Sequence, residues 1–268
     1  MNKLIAFLSK YKFFIMSIIL AVLVIILINV IIFFNIDTDS STQTETTVFN
    51  PESLSEKANG QLSGDSRFLV ICQEMNSTDV AFMTLVDFKI FAEQIIITPL
   101  DYNTATDSGT FKEKYKYGGM SLLLKTVETE RNINIDRYVI INKDGFCDII
   151  DMMGEVNLYV DEKFTYISSD KSYEIGIGDN TLESPMLYSY LKLKYHNADD
   201  TEFTKILCKI VNLYLDKIEP DEALSYFEDL SNCVTSDLSI SDFYSAETDI
   251  NYLINGNTIC IPYFEGDQ

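Results

Sequence analysis

Residues 137–160 read RYVIINKDGFCDIIDMMGEVNLYV, and the order of patterns in this stretch decides the fold. An apolar, β-branched run at 137–141 fits a strand, 144–153 fits a helix, and 156–160 fits a strand again. The same alternation continues outward in both directions. Upstream, the apolar runs 67–72, 80–86 and 94–98 are bounded by polar residues and predict three strands, while 119–131 carries Met120, Leu123, Leu124 and Val127 at helical spacing. Downstream, 185–195 is helical and 197–200 leads into a long amphipathic helix over about 201–218. Pro220 opens a further helix at 221–230, since proline suits a first helical turn. Strands and helices in alternation predict an α/β domain, with helices covering a mixed central sheet.

Ahead of this domain lies a segment of another kind. Residues 13–34 hold no charge, and as a helix rising about 1.5 Å per residue they cross roughly 30 Å of hydrocarbon. Lys3, Lys10 and Lys12 precede the span and Asp37 and Asp39 follow it, which predicts a cytoplasmic tail (1–12), a membrane helix (13–34) and an exported remainder. A cleaved signal peptide has a shorter apolar region of about 7–15 residues and a small-residue cleavage site. Here Asn35-Ile36-Asp37 follows, which favours an uncleaved anchor. Residues 35–66, rich in Ser, Thr, Glu and Asn, bury too little apolar surface to offset chain entropy and predict a flexible stalk. Residues 67–268 are enough for one extracellular domain with a core of its own.

Composition excludes several classes of function. A formal charge of −21 opposes general nucleic-acid binding, because phosphates are repelled by most of such a surface. The segment before the span, 1–12, is too short for a DNA-binding domain. Five widely spaced cysteines, with no Cys-x-x-Cys pair, form no legible metal or disulfide framework, and at least one is unpaired within the chain. His196 is the single histidine and follows a lysine pair near a helix end, a solvated position with no nucleophile motif to make it part of a triad. Gly176-Ile177-Gly178 lacks the helix-opening context of a phosphate loop and reads as a connection between elements.

Several short segments recur in a fixed order: the strand ending at Cys72 to Glu74, Thr78-Asp79 before an apolar strand, Thr98-Pro99-Leu100-Asp101, and residues 115–119. Asp136-Arg137-Tyr138-Val139-Ile140, Asp144-Gly145-Phe146, Tyr190-Leu191-Lys192-Leu193-Lys194 and Thr235-Ser236-Asp237-Leu238-Ser239 follow them. This ordered set, with the topology before it, resembles the LytR-CpsA-Psr family of cell-envelope proteins over about 67–266. The resemblance implies a short cytoplasmic tail, one membrane helix and an extracellular three-layer α-β-α domain. It also implies binding of a polyprenyl pyrophosphate lipid and, in active members, transfer of its glycopolymer to peptidoglycan. That chemistry needs Mg2+ held by carboxylates, cations on the pyrophosphate leaving group and an apolar groove for the lipid tail.

Carried over residue by residue, Asp79 stands at a metal carboxylate and Glu74 near the position of the second acidic ligand. Asp101 matches the aspartate of the family's Pro-Arg-Asp step, where it orients neighbours. Lys192 and Lys194 replace two arginines, and on alternating or irregular backbone both reach one phosphate cluster, without the bidentate guanidinium fork. Lys205 retains one charge on the long helix, after the acidic pair Asp199 and Asp200. Phe82, Phe146, Met152, Leu187 and Leu191 are groove candidates that serve equally as ordinary core. Other positions depart from the pattern: Ser77 and Leu100 replace arginines, Glu202 stands at another arginine position and Ile206 at a glutamine. Thr110 or a neighbour occupies a lysine position, with Lys112 and Lys114 one register shift away.

Three functions follow. The first is a Mg2+-dependent glycopolymer transferase with a lysine clamp. The second is a pseudo-enzyme that holds lipid-linked precursor or assists an active paralogue. The third is a tethered structural or regulatory protein that contacts other proteins. Losing a preorganised cation costs phosphoryl transfer roughly 10³–10⁵ in rate, so the arginine losses weigh against the first more than against the second.

Overall fold

The computed structural model describes residues 62–74, 79–168 and 171–263. The expected tail, membrane span and nearly all of the stalk lie outside the described residues. Among the described residues no helix is long and apolar enough to cross a membrane.

In chain order the elements are β1 (Ser66–Gln73), β2 (Val80–Lys89), β3 (Gln94–Pro99), the short strands β4 (Ala105–Thr106) and β5 (Gly109–Thr110), α1 (Phe111–Arg131), β6 (Arg137–Asn142), α2 (Lys143–Met153) and β7 (Val156–Val160). There follow β8 (Phe164–Ile167), β9 (Ser172–Ile175), β10 (Gly178–Leu182), α3 (Ser184–His196), α4 (Asp200–Leu215), a 3-10 turn (Pro220–Glu222), α5 (Ala223–Asn232), β11 (Val234–Ser236), α6 (Ile240–Asn255) and β12 (Ile259–Pro262).

The central sheet has the order β11-β6-β1-β2-β3-β12. β1 with β6 and β3 with β12 run parallel, and the remaining neighbours antiparallel, so the sheet is mixed as the alternation predicts. β2 is buried along most of its length, because a central strand with both faces covered reads as a nearly continuous apolar run. Phe82 of β2 meets Phe146 of α2 at 6.1 Å, Tyr188 of α3 at 6.3 Å and Phe203 of α4 at 5.4 Å between ring centroids. Three helices thus pack on one strand.

Several of the quoted segments turn out to be framework. Asp136 accepts the backbone N–H of Arg67 at 2.8 Å, tying β6 to β1. Arg137 and Asp242 form a buried ion pair between β6 and α6, with Nε to Oδ2 at 3.3 Å and a second bond from Nη2 to Oδ1. The Tyr138 N–H donates to Asp237 at 2.8 Å, which fixes the segment around 235–239 beside β6. Gly145 sits where an added Cβ would lie 2.0 Å from the carbonyl oxygen of Cys233, so only glycine lets α2 start against β11.

The structure departs from the expected elements in three places. The helix expected at 119–131 begins at Phe111, behind a capping box of Thr110 and Glu113, and is broken at Gly119 (φ +62°). The long helix ends at Leu215 with Asp216 as its cap, three residues short of the expectation. Ordered contacts begin inside the segment expected as stalk, where the Gly64 N–H donates to Asp249 at 2.7 Å and Asp65 pairs with Lys89 at 3.2 Å.

Candidate active site

The junction of β1 and β2 carries the first group of charges. The register shifts there, pairing Cys72 with Phe82 and Gln73 with Val80, so Ala81 has no opposite residue. Such a bulge re-aims the chain at a strand end. The Glu74 N–H donates to the Asp79 carbonyl at 2.9 Å, which holds the end of β1 beside the start of β2 and brings the two acidic residues next to each other. Gln73 is held from both sides: its amide donates to the Tyr115 hydroxyl at 2.5 Å and its carbonyl accepts from Tyr188 at 3.3 Å.

Two lysines face the two carboxylates. Lys192, on the last turns of α3, pairs with Glu74. Lys112, on the first turn of α1, stands 3.8 Å from Asp79 and 5.4 Å from the centre of the Tyr102 ring. Of the two lysines one register shift from the expected lysine, Lys112 faces Asp79, whereas Lys114 bonds to Ser108. The Tyr102 hydroxyl is 3.1 Å from His196 Nε2, and His196 Nδ1 is 2.8 Å from the Lys192 carbonyl oxygen. Burial pushes the hydroxyls of Tyr102 and Tyr188 upward, Tyr188 the further because the neighbouring Cys72 and Glu74 add to it. Both stay neutral donors, and the charge at this junction comes from two carboxylates and two ammonium groups.

Asp101 lies on an exposed turn and accepts the Asn103 N–H at 2.8 Å, an orienting contact within its own loop. Leu100, where the resemblance led an arginine to be expected, is 1% exposed and its carbonyl accepts from Tyr195. This position therefore contributes packing.

Lys194 does not join Lys192. α3 is regular helix here, so residues two apart point to different sides, and the alternating backbone that would bring both to one phosphate cluster is not formed. Lys194 is 2% exposed and is held by Asp161 at 2.5 Å, Glu162 at 2.8 Å and Asp199 at 3.1 Å, with the Tyr190 ring centre 5.4 Å away. Burial opposes its charge, but the three carboxylates outweigh burial and raise its pKa. Lys205 pairs with Glu202 at 3.8 Å and is mostly exposed.

The groove candidates are closed. Phe82, Phe146, Leu187 and Leu191 are 3%, 5%, 0% and 0% exposed and belong to the main core, so none lines a space that water reaches. Met152 is half-buried near the end of α2, and its carbonyl accepts from Lys217 at 2.6 Å. An open cleft of about 440 Å³ lies instead between β8 and α3, lined by Glu162, Phe164, Ser189, Lys192 and His196 among others.

Among the described residues no group of three or more His, Cys, Asp or Glu side chains is placed to hold a metal ion. Mg2+ commonly takes only one or two carboxylates and completes its shell with water and substrate phosphates. Glu74 and Asp79, joined by a backbone hydrogen bond at the ends of β1 and β2, fit that kind of site and do not form an all-protein cage.

Comparison with known sequences settles the lineage. The profile of the LytR_cpsA_psr family matches residues 78–258, well over half of the chain. The chain belongs to the LytR-CpsA-Psr family. Asp79, Asp101, Lys112, Lys192, Lys194 and Lys205 all lie inside the matched stretch. A polyisoprenyl-teichoic acid–peptidoglycan teichoic acid transferase TagU from Enterococcus faecalis is 27% identical over 133 residues, 48% of this chain and 43% of that protein. A protein of the same name from Bacillus subtilis is 24% identical over 120 residues, 43% of this chain and 38% of its own length. The matched stretches thus span less than half the length of these curated relatives. Among solved structures, TagV of B. subtilis superposes with a TM-score of 0.60 at 17% identity, covering 75% of this chain and 85% of that one. A structure described as TagT bound to LIIa-WTA superposes with a TM-score of 0.56 at 16% identity, covering 77% and 82%. Both likenesses are of fold.

Sequence reasoning passed over the partners of Lys194. Asp161 and Glu162 follow a short strand directly, and nothing in their spacing announces that the turn folds back onto α3. Tyr102 was equally silent, since a tyrosine next to Asp101 carries no motif.

Proposed function

We propose that this chain is a membrane-tethered protein of cell-envelope assembly that binds a polyprenyl pyrophosphate-linked glycopolymer and passes the polymer to peptidoglycan. Residues 13–34 are the anchor and the domain lies outside the cell. The observation that carries the reading is the facing of Glu74 with Lys192 and of Asp79 with Lys112 at one end of the central sheet, in a chain of this family. Paired charges of this kind exchange partners when a pyrophosphate arrives. Lys112 and Lys192 then take up phosphate oxygens, and the freed carboxylates are left to face a cation. Glu74 and Asp79 would hold Mg2+, which when bound neutralises charge on the pyrophosphate leaving group. His196 and Tyr102 brace the Lys192 turn and the Lys112 side chain. Because four of the five expected groove residues, Phe82, Phe146, Leu187 and Leu191, are packed core, a lipid tail reaching them needs side chains of α2 and α3 to move apart.

The test is binding of a polyprenyl pyrophosphate to the full chain in detergent micelles, followed by native mass spectrometry. Saturable binding that weakens about tenfold in Lys192→Gln or Lys112→Gln, from loss of a charge-assisted contact, supports the reading; no binding to the wild-type chain overturns it.

A second reading is favoured by one observation, the burial of Leu100 at an arginine position. With that cation gone, the chain would hold the lipid-linked precursor without turning it over and present it to an active paralogue. Recovery of intact bound lipid separates this reading from the first.

A further inference from the structure

We propose that Cys208 and Cys260 form a disulfide that staples the C-terminal strand β12 to α4. The two residues are 52 positions apart, and the fold brings them together in a small core of their own with Ile95 and Ile97 of β3. Both are nearly fully buried, at 5% and 6% exposure. Two contacts set their approach. Cys260 pairs with Ile95 in the parallel register of β12 on β3, which fixes the strand beneath α4. The Cys260 N–H donates at 2.8 Å to the side chain of Asn212, one turn after Cys208 on the same face of α4, so the strand backbone is held against the turn that carries the other thiol. Both side chains belong to that one small cluster, and the neighbouring Cys208 thiol, together with burial, pushes the Cys260 thiol upward. All five cysteines are free in this structure. Cys147 lies near enough to Cys72 to act on it electrostatically and makes Cys72–Cys147 the competing pair, while the Cys233 thiol donates to the Asp229 carbonyl at 3.4 Å.

The chemistry balances against an external disulfide of the kind carried by thiol oxidoreductases or by oxidised glutathione. One cysteine thiolate attacks the S–S bond of the donor, releasing one donor thiol and leaving a mixed disulfide. The second thiolate attacks the chain's sulfur in that mixed disulfide, closing Cys208–Cys260 and releasing the second donor thiol. The chain loses two electrons and two protons; the donor gains both. Burial and the raised pKa disfavour the Cys260 thiolate once β12 is docked, so exchange takes place before docking, while the chain folds. β12 is four residues at an edge of the sheet, where ends fray readily, and the staple would enclose α5, β11 and α6 in a covalent loop that returns to α4.

The experiment uses the full chain in detergent micelles, unfolded in guanidinium chloride and refolded with glutathione disulfide or with reductant, then alkylated and mapped by non-reducing peptide mass spectrometry. The expected result is one linkage, Cys208 to Cys260, with Cys72, Cys147 and Cys233 alkylated, and a Tm about 5–15 °C above that of the reduced chain. Cys208→Ala and Cys260→Ala should each abolish the linkage and the redox dependence of Tm, while Cys233→Ala keeps both. Native reduced chain should oxidise far more slowly than refolding chain. The proposal fails if Cys208 and Cys260 are alkylated in a folded oxidised sample, carry only glutathione, or pair with the other three cysteines. Because the readout is a covalent bond and needs no lipid, its outcome is independent of ligand binding.

Discussion

Along α3 a step of two residues turns the side chain by about 200°, and this rotation separates the roles of Lys192 and Lys194. Lys192 is part-exposed on Glu74, a pair worth about 0–1 kcal/mol to the fold. Lys194 sits at the centre of Asp161, Glu162 and Asp199, whose own side chains are 37–43% exposed and would regain water if it were removed. Lys194→Ala should therefore cost about 1–3 kcal/mol in denaturant unfolding, and Lys192→Ala less than about 1 kcal/mol while weakening pyrophosphate binding. The opposite ranking in stability would refute the division. Arg137 and Asp242 give a pH prediction. Burial raises the Asp242 carboxyl, but bonds from Arg137 and Ser239 outweigh it and hold the folded-state pKa below the ordinary aspartate value of about 4. A depressed acid stabilises the fold above the unfolded-state pKa and loses that contribution as pH falls through the folded one. Asp242→Asn, which leaves the guanidinium buried and unpaired, should cost about 3–5 kcal/mol at pH 7. The gap from wild type should narrow in urea titrations below about pH 4; a gap constant with pH would contradict the pairing.

Two glycines decide element geometry. Gly119 breaks α1 with φ +62° and ψ −160°, a conformation that only glycine adopts without strain, and Gly119→Ala should cost about 1–3 kcal/mol. Gly145→Ala drives a Cβ onto the Cys233 carbonyl, for about 1–3 kcal/mol of overpacking, with α2 and β11 losing amide exchange protection first. No change in thermal unfolding for either variant would contradict the geometry. Both lie in segments the sequence singled out, Gly119 at the end of 115–119 and Gly145 within Asp144-Gly145-Phe146, but their reason is backbone crowding that only the packed structure displays. Strands β1, β2, β3 and β6 of the central sheet were legible because each carries enough apolar residues to set a period, whereas the edge strands β11 and β12, three and four residues long, were not. α6 was not, although Ser239 and Asp242 form a capping box; the segment before it reads as a family tail. The strand at 156–160 was read from its alternation and is β7, but its partner β10 and the hairpin of β8 and β9 are short and partly exposed, and four- or five-residue strands rich in polar residues leave no period to count.

At the scale of the molecule, a chain with a formal charge of −21 repels a pyrophosphate at a distance, so attraction has to come from the cluster at the end of β1. Glu74, Asp79 and Lys192 were named from the resemblance and Lys112 from a shift of register, and the structure faces Glu74 with Lys192 and Asp79 with Lys112. The separation of Lys194 follows from the helix expected at 185–195, where residues two apart point to different sides, so placing both lysines on one phosphate cluster conflicted with that reading. The central claim is that two lysines and two carboxylates do for a lipid pyrophosphate what a fuller set of arginines does elsewhere. Its most direct test is mass-spectrometric turnover of a polyprenyl pyrophosphate-linked glycan by the full chain in detergent micelles, with and without Mg2+, beside Asp79→Ala. The account predicts Mg2+-dependent loss of the glycan phosphate from the lipid that falls at least 10²-fold in the variant, as for removal of one electrostatic contact in a preorganised site. Turnover unchanged by Asp79→Ala, or lipid recovered intact under every condition, would contradict it.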